Sequence, residues 1–198
     1  MGRQRMTGIE RREQLISVGR TAFAELGFQG TSVEEIAARA KVSKPVVYEH
    51  FGGKEGLYAV VVDREMVALE RIITASLESG SWRERVEQAA RALLTYVEEE
   101  TDGFMILVRD PKSNTDRSYS TLLNTAVSQV SHILAEAFRH RGFDEKLAGL
   151  YAQALVGMVS MTAQWWLDVR EPDKDTVAAH IVNLCWNGLA GLQTAPLK

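Results

Sequence analysis

The stretch TSVEEIAARAKVSKPVVYEHFGGKEGLY, residues 31–58, decides the fold of this 198-residue chain. It contains two short segments with apolar residues at helical spacing, separated by the polar tripeptide KVS. Ser32 opens the first segment with Glu35 three residues later, as in a capping box, and Ser43 with Pro45 opens the second. Two short helices joined by a polar turn, with another helix ahead of them, predict a helix-turn-helix unit.

The second of these helices carries side chains that suit a phosphate-bearing partner. Two apolar residues four positions apart in VVYEHF can anchor the helix inward. Lys44, His50 and Lys54 offer positive charge or hydrogen bonds to phosphate, and Tyr48 offers its hydroxyl. Each of these residues alone could be an ordinary core or surface residue, but the full set at this spacing favours DNA recognition.

Charge is distributed unevenly along the chain, although the net charge is only −3. Residues 1–56 hold nine Lys/Arg against seven Asp/Glu, and residues 57–198 hold fourteen against nineteen, so a head of +2 precedes a body of −5. The single cysteine, Cys185, excludes an internal disulfide and favours a reducing compartment. The first residues, MGRQRMTGIERREQ, lack an apolar signal-peptide core, so we expect a cytoplasmic protein.

Helical periodicity continues through the rest of the chain, where Pro is scarce and Gly falls between periodic runs. We therefore predict an all-α fold with a helix-turn-helix domain of three helices over residues 1–54 and a bundle of six helices over residues 55–198. The expected helices outside the opening stretch cover residues 10–26, 54–77, 82–100, a short run ending before Pro111, 119–140, 144 to about 170, and 175–192.

Residues 147–167 carry no charge over a length close to that of a membrane helix. Gln153, Ser160, Thr162 and Gln164 within it weaken insertion into a bilayer. The stretch is better interpreted as a helix that protein covers on most sides. A second subunit is one source of that covering surface.

The opening stretch resembles the DNA-binding signature of the TetR family of bacterial transcriptional regulators. The resemblance lies in the Thr-Ser helix start, the Ile-Ala pair, the Val-Ser turn, the Tyr-x-His-Phe recognition helix and the Lys-Glu-x-Leu entry to the fourth helix. It covers about residues 10–58, under a third of the chain. It implies a homodimer whose last two helices form a four-helix interface, with the other body helices around a small-molecule pocket.

The resemblance also implies which residues contact DNA. Thr31 and Ser32 would meet phosphate at the start of the second helix, and Tyr48, His50 and Lys54 would bind phosphate beyond the turn. The residues expected to face the major groove are Lys44, Pro45 and Val46.

Two positions depart from the family pattern. Lys41 occupies a turn position that is commonly Gly, so a positive φ there would cost about 1–2 kcal/mol. Pro45 and Val46 replace a common Gly-Thr pair, and Val46 can touch a thymine methyl group but cannot bond to a base edge. Base reading therefore rests on Lys44, on other residues or on DNA shape.

Pocket and interface residues in the body follow from the rough helix layout. Flexible Met and flat aromatic side chains suit an apolar or aromatic effector, although ordinary core packing explains each of them as well. The candidate pocket residues are Met66, Phe104, Met105, Tyr119, Met158 and Trp165. The candidate dimer-interface residues are Leu155, Val159, Val177, Ile181, Leu184 and Gly188.

Catalytic and metal-binding patterns do not emerge from the sequence. The four His do not cluster with Cys or carboxylates at metal-ligand spacing, and neither a phosphate-cradling Gly loop nor a nucleophile elbow is found. We therefore expect no enzyme activity and no cofactor.

The sequence predicts a ligand-responsive DNA-binding regulator, a dimeric repressor at a palindromic operator. The alternatives are a helical ligand-binding or enzymatic domain whose N-terminal unit binds a protein, and a regulator without a natural ligand.

Overall fold

The computed structural model describes residues 6–109 and 118–192. Within those two ranges the chain forms nine α-helices, one 3-10 turn and no β-strand, which confirms the all-α prediction. The helices are α1 Gly8–Gly30, α2 Val33–Ala40, α3 Lys44–Phe51, α4 Lys54–Leu77, α5 Trp82–Glu99, α6 Thr101–Arg109, α7 Tyr119–Arg141, α8 Ala148–Val169 and α9 Lys174–Ala190, with the 3-10 turn at Glu145–Leu147.

The chain divides into two compact units. The first comprises Met1–Val67 and Asp102–Ser118, and the second comprises Ala68–Thr101 and Tyr119–Lys198. Helix α4 therefore begins in the first unit and ends in the second. The domain boundary expected at residue 54 stays a prediction.

Helix α1 is longer than the sequence predicts at both ends. Thr7 caps it, and the side chain of Glu10 bonds back to the amide of Thr7 in a complete capping box, so the helix starts at Gly8. Gly27 adopts a φ of 69°, which breaks the helix where an end was predicted. One further helical turn follows and ends at Gly30.

The core of the first unit brings α1, α3 and α4 together. Leu15 of α1 and Val47 of α3 are fully buried. Phe23, Phe28 and Tyr58 form an aromatic cluster whose ring centroids lie 4.8–6.3 Å apart. Helix α2 packs against α1 and α3. These contacts hold the two short helices, which are too short to be stable alone.

The turn between α2 and α3 has the geometry that the sequence predicts, but with fewer capping bonds. Lys41 adopts a left-handed conformation with a φ of 55°. The hydroxyl of Ser32 accepts the amide of Glu35, while the carboxylate of Glu35 pairs with Arg39 instead of completing a capping box. Ser43 stands at the N-cap of α3, but its side chain makes no capping bond.

The second unit is built around two helix pairs, α7 with α8 and α5 with α9. Asp144, which was expected to open the long uncharged helix, instead caps the 3-10 turn, and α8 begins at Ala148. Asp173 caps α9, so that helix begins one residue earlier than predicted, at Lys174. Among the described residues no helix is long and apolar enough to cross a membrane.

Candidate nucleic-acid interface and interior cavity

Helix α3 presents to solvent the residues that the sequence assigns to DNA. Val47 points the other way and is fully buried, so the helix has one anchored side and one accessible side. Tyr48 has 54% of its surface exposed. On the accessible side Lys44, Pro45 and Tyr48 are exposed, while Val46 and His50 are half-buried.

Two residues of α1 hold the carboxyl ends of the two short helices, and sequence reasoning missed both. A terminal nitrogen of Arg12 donates to the backbone carbonyl of His50 at 3.1 Å, and its guanidinium lies 4.5 Å from the ring centroid of Phe51. The side-chain amide nitrogen of Gln14 donates to the backbone carbonyl of Ala40 at 3.3 Å. No local sequence signal marks these contacts because the partners lie 38 and 26 residues apart.

Thr31 and Ser32 differ in access. The hydroxyl of Thr31 is 2.8 Å from the carbonyl oxygen of Gly27 and 3.2 Å from that of Ala22, and the residue is only 2% exposed. Thr31 thus uses its hydroxyl to hold the end of α1. Ser32 is exposed and can donate its hydroxyl proton outward while its oxygen caps α2.

Lys54 is anchored within the first unit at the start of α4. Its ammonium group donates to the carbonyl of Phe28 at 2.9 Å and lies 4.2 Å from the centroid of the Phe28 ring. An ammonium group has three donors, so two remain for another acceptor.

Acidic side chains lie beside this basic surface. The ammonium group of Lys44 forms an ion pair with the carboxylate of Glu34, and this bond lowers the pKa of Glu34. Glu49 is exposed on α3 itself. The interface is therefore mixed in charge, and Lys44 has an internal competitor for any DNA contact.

The second unit contains a partly open apolar cavity of about 80 Å³. Sixteen residues from α4, α5, α7, α8 and α9 line it, and none of them is charged. Among these residues only Trp82, Tyr119, Ser160 and Cys185 carry a nitrogen, oxygen or sulfur atom in the side chain. Burial raises the pKa of Tyr119, and it raises the pKa of Cys185 to about 11.

Of the six residues expected at a ligand pocket, Tyr119 lines this cavity and the other five lie elsewhere. Met66, Phe104 and Met105 belong to the first unit, where Met66 and Phe104 are buried in its core. Met158 is half-buried outside the lining, and Trp165 is 50% exposed. Spacing alone placed these residues on helices but could not show which side each helix turns inward.

The six residues expected at a dimer interface also separate into two groups. Leu184 is 63% exposed and Gly188 is exposed, so both are accessible to a second subunit. The other four already have places inside the protomer, because Leu155 and Val159 line the cavity and Val177 and Ile181 are buried. The outer sides of α8 and α9 instead present the large apolar residues Leu150, Met161, Trp165, Leu184 and Trp186.

Comparison with known proteins agrees with this architecture. Residues 15–61 match the model of bacterial regulatory proteins of the tetR family, and residues 82–188, over half of the chain, match the tetracyclin repressor-like C-terminal domain. The transcriptional activator FasR of Mycolicibacterium smegmatis is 28% identical over 184 residues, which cover 91% of this chain and 84% of FasR.

Solved structures of other proteins share this fold. A TetR-like transcriptional regulator from Rhodococcus sp. RHA1 superposes with a TM-score of 0.73 at 25% identity, covering 95% of this chain and all of the other. AibR, solved with isovaleryl coenzyme A and operator DNA, has a TM-score of 0.71 at 17% identity over 88% of this chain and 97% of its own.

An exposed, buttressed recognition helix followed by a helical body defines a helix-turn-helix transcriptional regulator. The chain belongs to the TetR family.

Proposed function

We propose that this protein is a ligand-responsive repressor that binds a palindromic DNA operator as a homodimer in the cytoplasm. The accessible side of α3, held from behind by Val47 and Arg12, is the observation that carries the proposal. A helix supported in this way can enter the major groove without losing its own backbone bonds.

The side chains divide into those that read bases and those that bind phosphate. Lys44, Pro45 and Val46 at the start of α3 face the groove, where Lys44 can donate to guanine and Val46 can contact a thymine methyl group. Ser32, Tyr48, His50 and Lys54 bind phosphate through their donors. Thr31 acts by positioning the start of α2, since its hydroxyl is used inside the protein.

Selection of binding sites from a random DNA library tests the DNA proposal. We expect enrichment of a palindrome whose half-sites lie about one helical turn apart. Tyr48→Phe should weaken binding on all sequences by about 1 kcal/mol. Lys54→Ala should also lower the slope of log K against log salt by about one, whereas the control Lys146→Ala on the second unit should leave it unchanged. Failure to enrich any palindrome would count against the proposal.

Dimerisation is proposed through the outer sides of α8 and α9. Leu150, Met161 and Trp165 are spaced by eleven and four residues, which places them along one side of α8, and all three are at least half exposed. An exposed apolar stripe of this kind marks an interaction surface. Leu184 and Gly188, one turn apart on α9, add a second accessible stripe.

Sedimentation equilibrium tests the dimer. Met161→Glu and Leu184→Glu should each shift the protein toward monomer, because a buried unpaired carboxylate at the interface is costly. Ile9→Glu is the matched control, since Ile9 is 78% exposed on the first unit. An equal effect of all three substitutions would contradict the assignment of the interface to α8 and α9.

The effector is proposed to place an apolar group in the interior cavity. An apolar cavity of about 150 Å³ stays dry and accepts benzene, so a cavity of about 80 Å³ suits a narrower group such as a short aliphatic chain. The isovaleryl group of the compound bound to AibR is of this type. An effector that binds one conformation better shifts the dimer toward it and lowers operator affinity. A regulator with no ligand would instead show operator binding that small aliphatic compounds leave unchanged.

A further inference from the structure

A groove of about 520 Å³, to which six polar or charged residues contribute, lies beside the apolar cavity in the second unit. The two spaces share one lining residue, Leu77. On α4, Ile73 lines the cavity and the next residue, Thr74, lines the groove. On α7, Val130 lines the cavity and the preceding residue, Gln129, lines the groove. Apolar and polar binding surfaces therefore meet along neighbouring residues of the same helices.

We propose that the groove binds the oxyanion head of an amphipathic effector whose aliphatic chain lies in the cavity behind Leu77. This inference rests on the proposed effector cavity and adds the chemical class of the ligand. The cavity by itself offers no charged group that could bind a head, while the groove supplies charged and neutral polar side chains.

Arg85 is the cation that recognises the head. Its Nε donates to the carbonyl of Gly80 at 3.0 Å, which fixes the guanidinium, and among the described residues it has no carboxylate partner. Arg85 also lies in the first turn of α5, where the helix dipole favours an anion. Its terminal nitrogens can bind a carboxylate or phosphate oxygen pair.

The other groove residues refine this recognition. Ser128, Gln129 and His132 on α7 can donate hydrogen bonds to the same head. Glu78, which follows the last residue of α4, also lines the groove, and its carboxylate opposes an anion. The groove thus selects a compact head that reaches Arg85 without crowding Glu78.

Isothermal titration of the full-length protein with octanoate and 1-octanol tests the inference. The two compounds share a chain length and differ in the head, and octanoate is ionised at neutral pH. We expect octanoate to bind about threefold to tenfold more tightly than octanol. Arg85→Gln should remove this preference, Glu78→Gln should increase it, and neither change should alter octanol binding.

Two controls separate the head from the chain. Arg91→Gln removes a cation from the same helix at a position paired with Glu87 and Asp175, so the octanoate preference should survive. Ala89→Leu fills the cavity and should weaken both compounds equally. Equal binding of octanoate and octanol would overturn the head-group inference while leaving the proposed cavity standing. Absence of binding by either compound would overturn both, and operator selection would still test DNA binding separately.

Discussion

Lys44, which we propose reads a base, forms an ion pair with Glu34 within the same helix-turn-helix unit. Both side chains are more than half exposed, so the pair itself adds little stability. The proposed DNA contact implies competition, because Lys44 would have to leave Glu34 before it could donate to DNA, and the released carboxylate would then stand near the phosphate backbone.

Replacement of Glu34 by Gln should therefore raise operator affinity. We expect a gain of about twofold to tenfold at low salt, since the variant removes both the competing acceptor and a like charge near phosphate. Fluorescence anisotropy with labelled operator measures it. Glu25→Gln is the matched control, because Glu25 is similarly exposed and pairs with Arg39 instead. Equal gains from both variants would show a general effect of net charge and contradict a specific competition.

Arg12 should matter for DNA binding without touching DNA. Arg12→Met keeps an apolar stem beside Phe51 but loses the bond to the carbonyl of His50, which should cost about 1–2 kcal/mol of stability. Urea denaturation and operator titration should both report the loss. Arg71→Met is the control, because Arg71 is exposed on the part of α4 that belongs to the second unit. If the two variants behave alike, Arg12 does not buttress the recognition helix.

Lys41 stores backbone strain in the turn. Its φ of 55° favours glycine, so Lys41→Gly should stabilise the protein by about 1 kcal/mol. Ala38→Gly, at an exposed position inside α2, should destabilise by a similar amount because glycine weakens a helix interior. Thermal unfolding of the two variants checks the opposite signs. A loss of stability in Lys41→Gly would mean that the lysine side chain offsets its own strain.

A side chain at Gly103 should displace a largely shielded ion pair. A Cβ there would collide with the carboxylate of Glu65, whose bond to Arg20 is 2.7 Å long and largely shielded from solvent. Gly103→Ala should cost about 2–4 kcal/mol by disturbing this pair. Gly149→Ala serves as the control, since its nearest neighbour is 3.9 Å away and alanine favours a helix. Calorimetry should show the first substitution lowering Tm and the second preserving or raising it.

Cys185 should make stability depend on pH in the alkaline range. Burial raises the pKa of its thiol to about 11, above the value in an unfolded chain. The thiol therefore favours folding fully below the unfolded pKa, and this contribution is lost as pH rises toward 11. Relative to Cys185→Ala, the protein should lose about 1–2 kcal/mol of unfolding free energy between pH 8 and pH 10.5. Parallel curves for the two proteins would contradict the assigned burial.

Much of the recognition unit follows from short-range signals. The bounds of α3 and α4 agree with prediction because Pro45 near the start of α3 and the two glycines after Phe51 act on neighbouring residues. The lysine at position 41, where glycine is common, also indicated the positive φ that the turn adopts. At α1 the same reasoning found the break at Gly27 but missed the cap at Thr7.

The pocket shows where such reasoning ends. Met158 and Trp165 have the composition of a ligand site, yet the cavity is lined by other residues of α8 such as Val156 and Val159. Hydrophobic residues cover almost every side of that helix, so periodicity does not reveal which side faces inward.

The amino-acid sequence by itself determined that this protein is helical and where its recognition helix lies, because helix starts, turns and apolar spacing depend on residues close together in the chain. The tertiary structure alone decided that Arg12 supports that helix, that Glu34 pairs with Lys44, and that the apolar cavity and the groove share Leu77 as a lining residue. These relationships join residues 10 to more than 80 positions apart, and only the packing of whole helices brings such distant groups into contact.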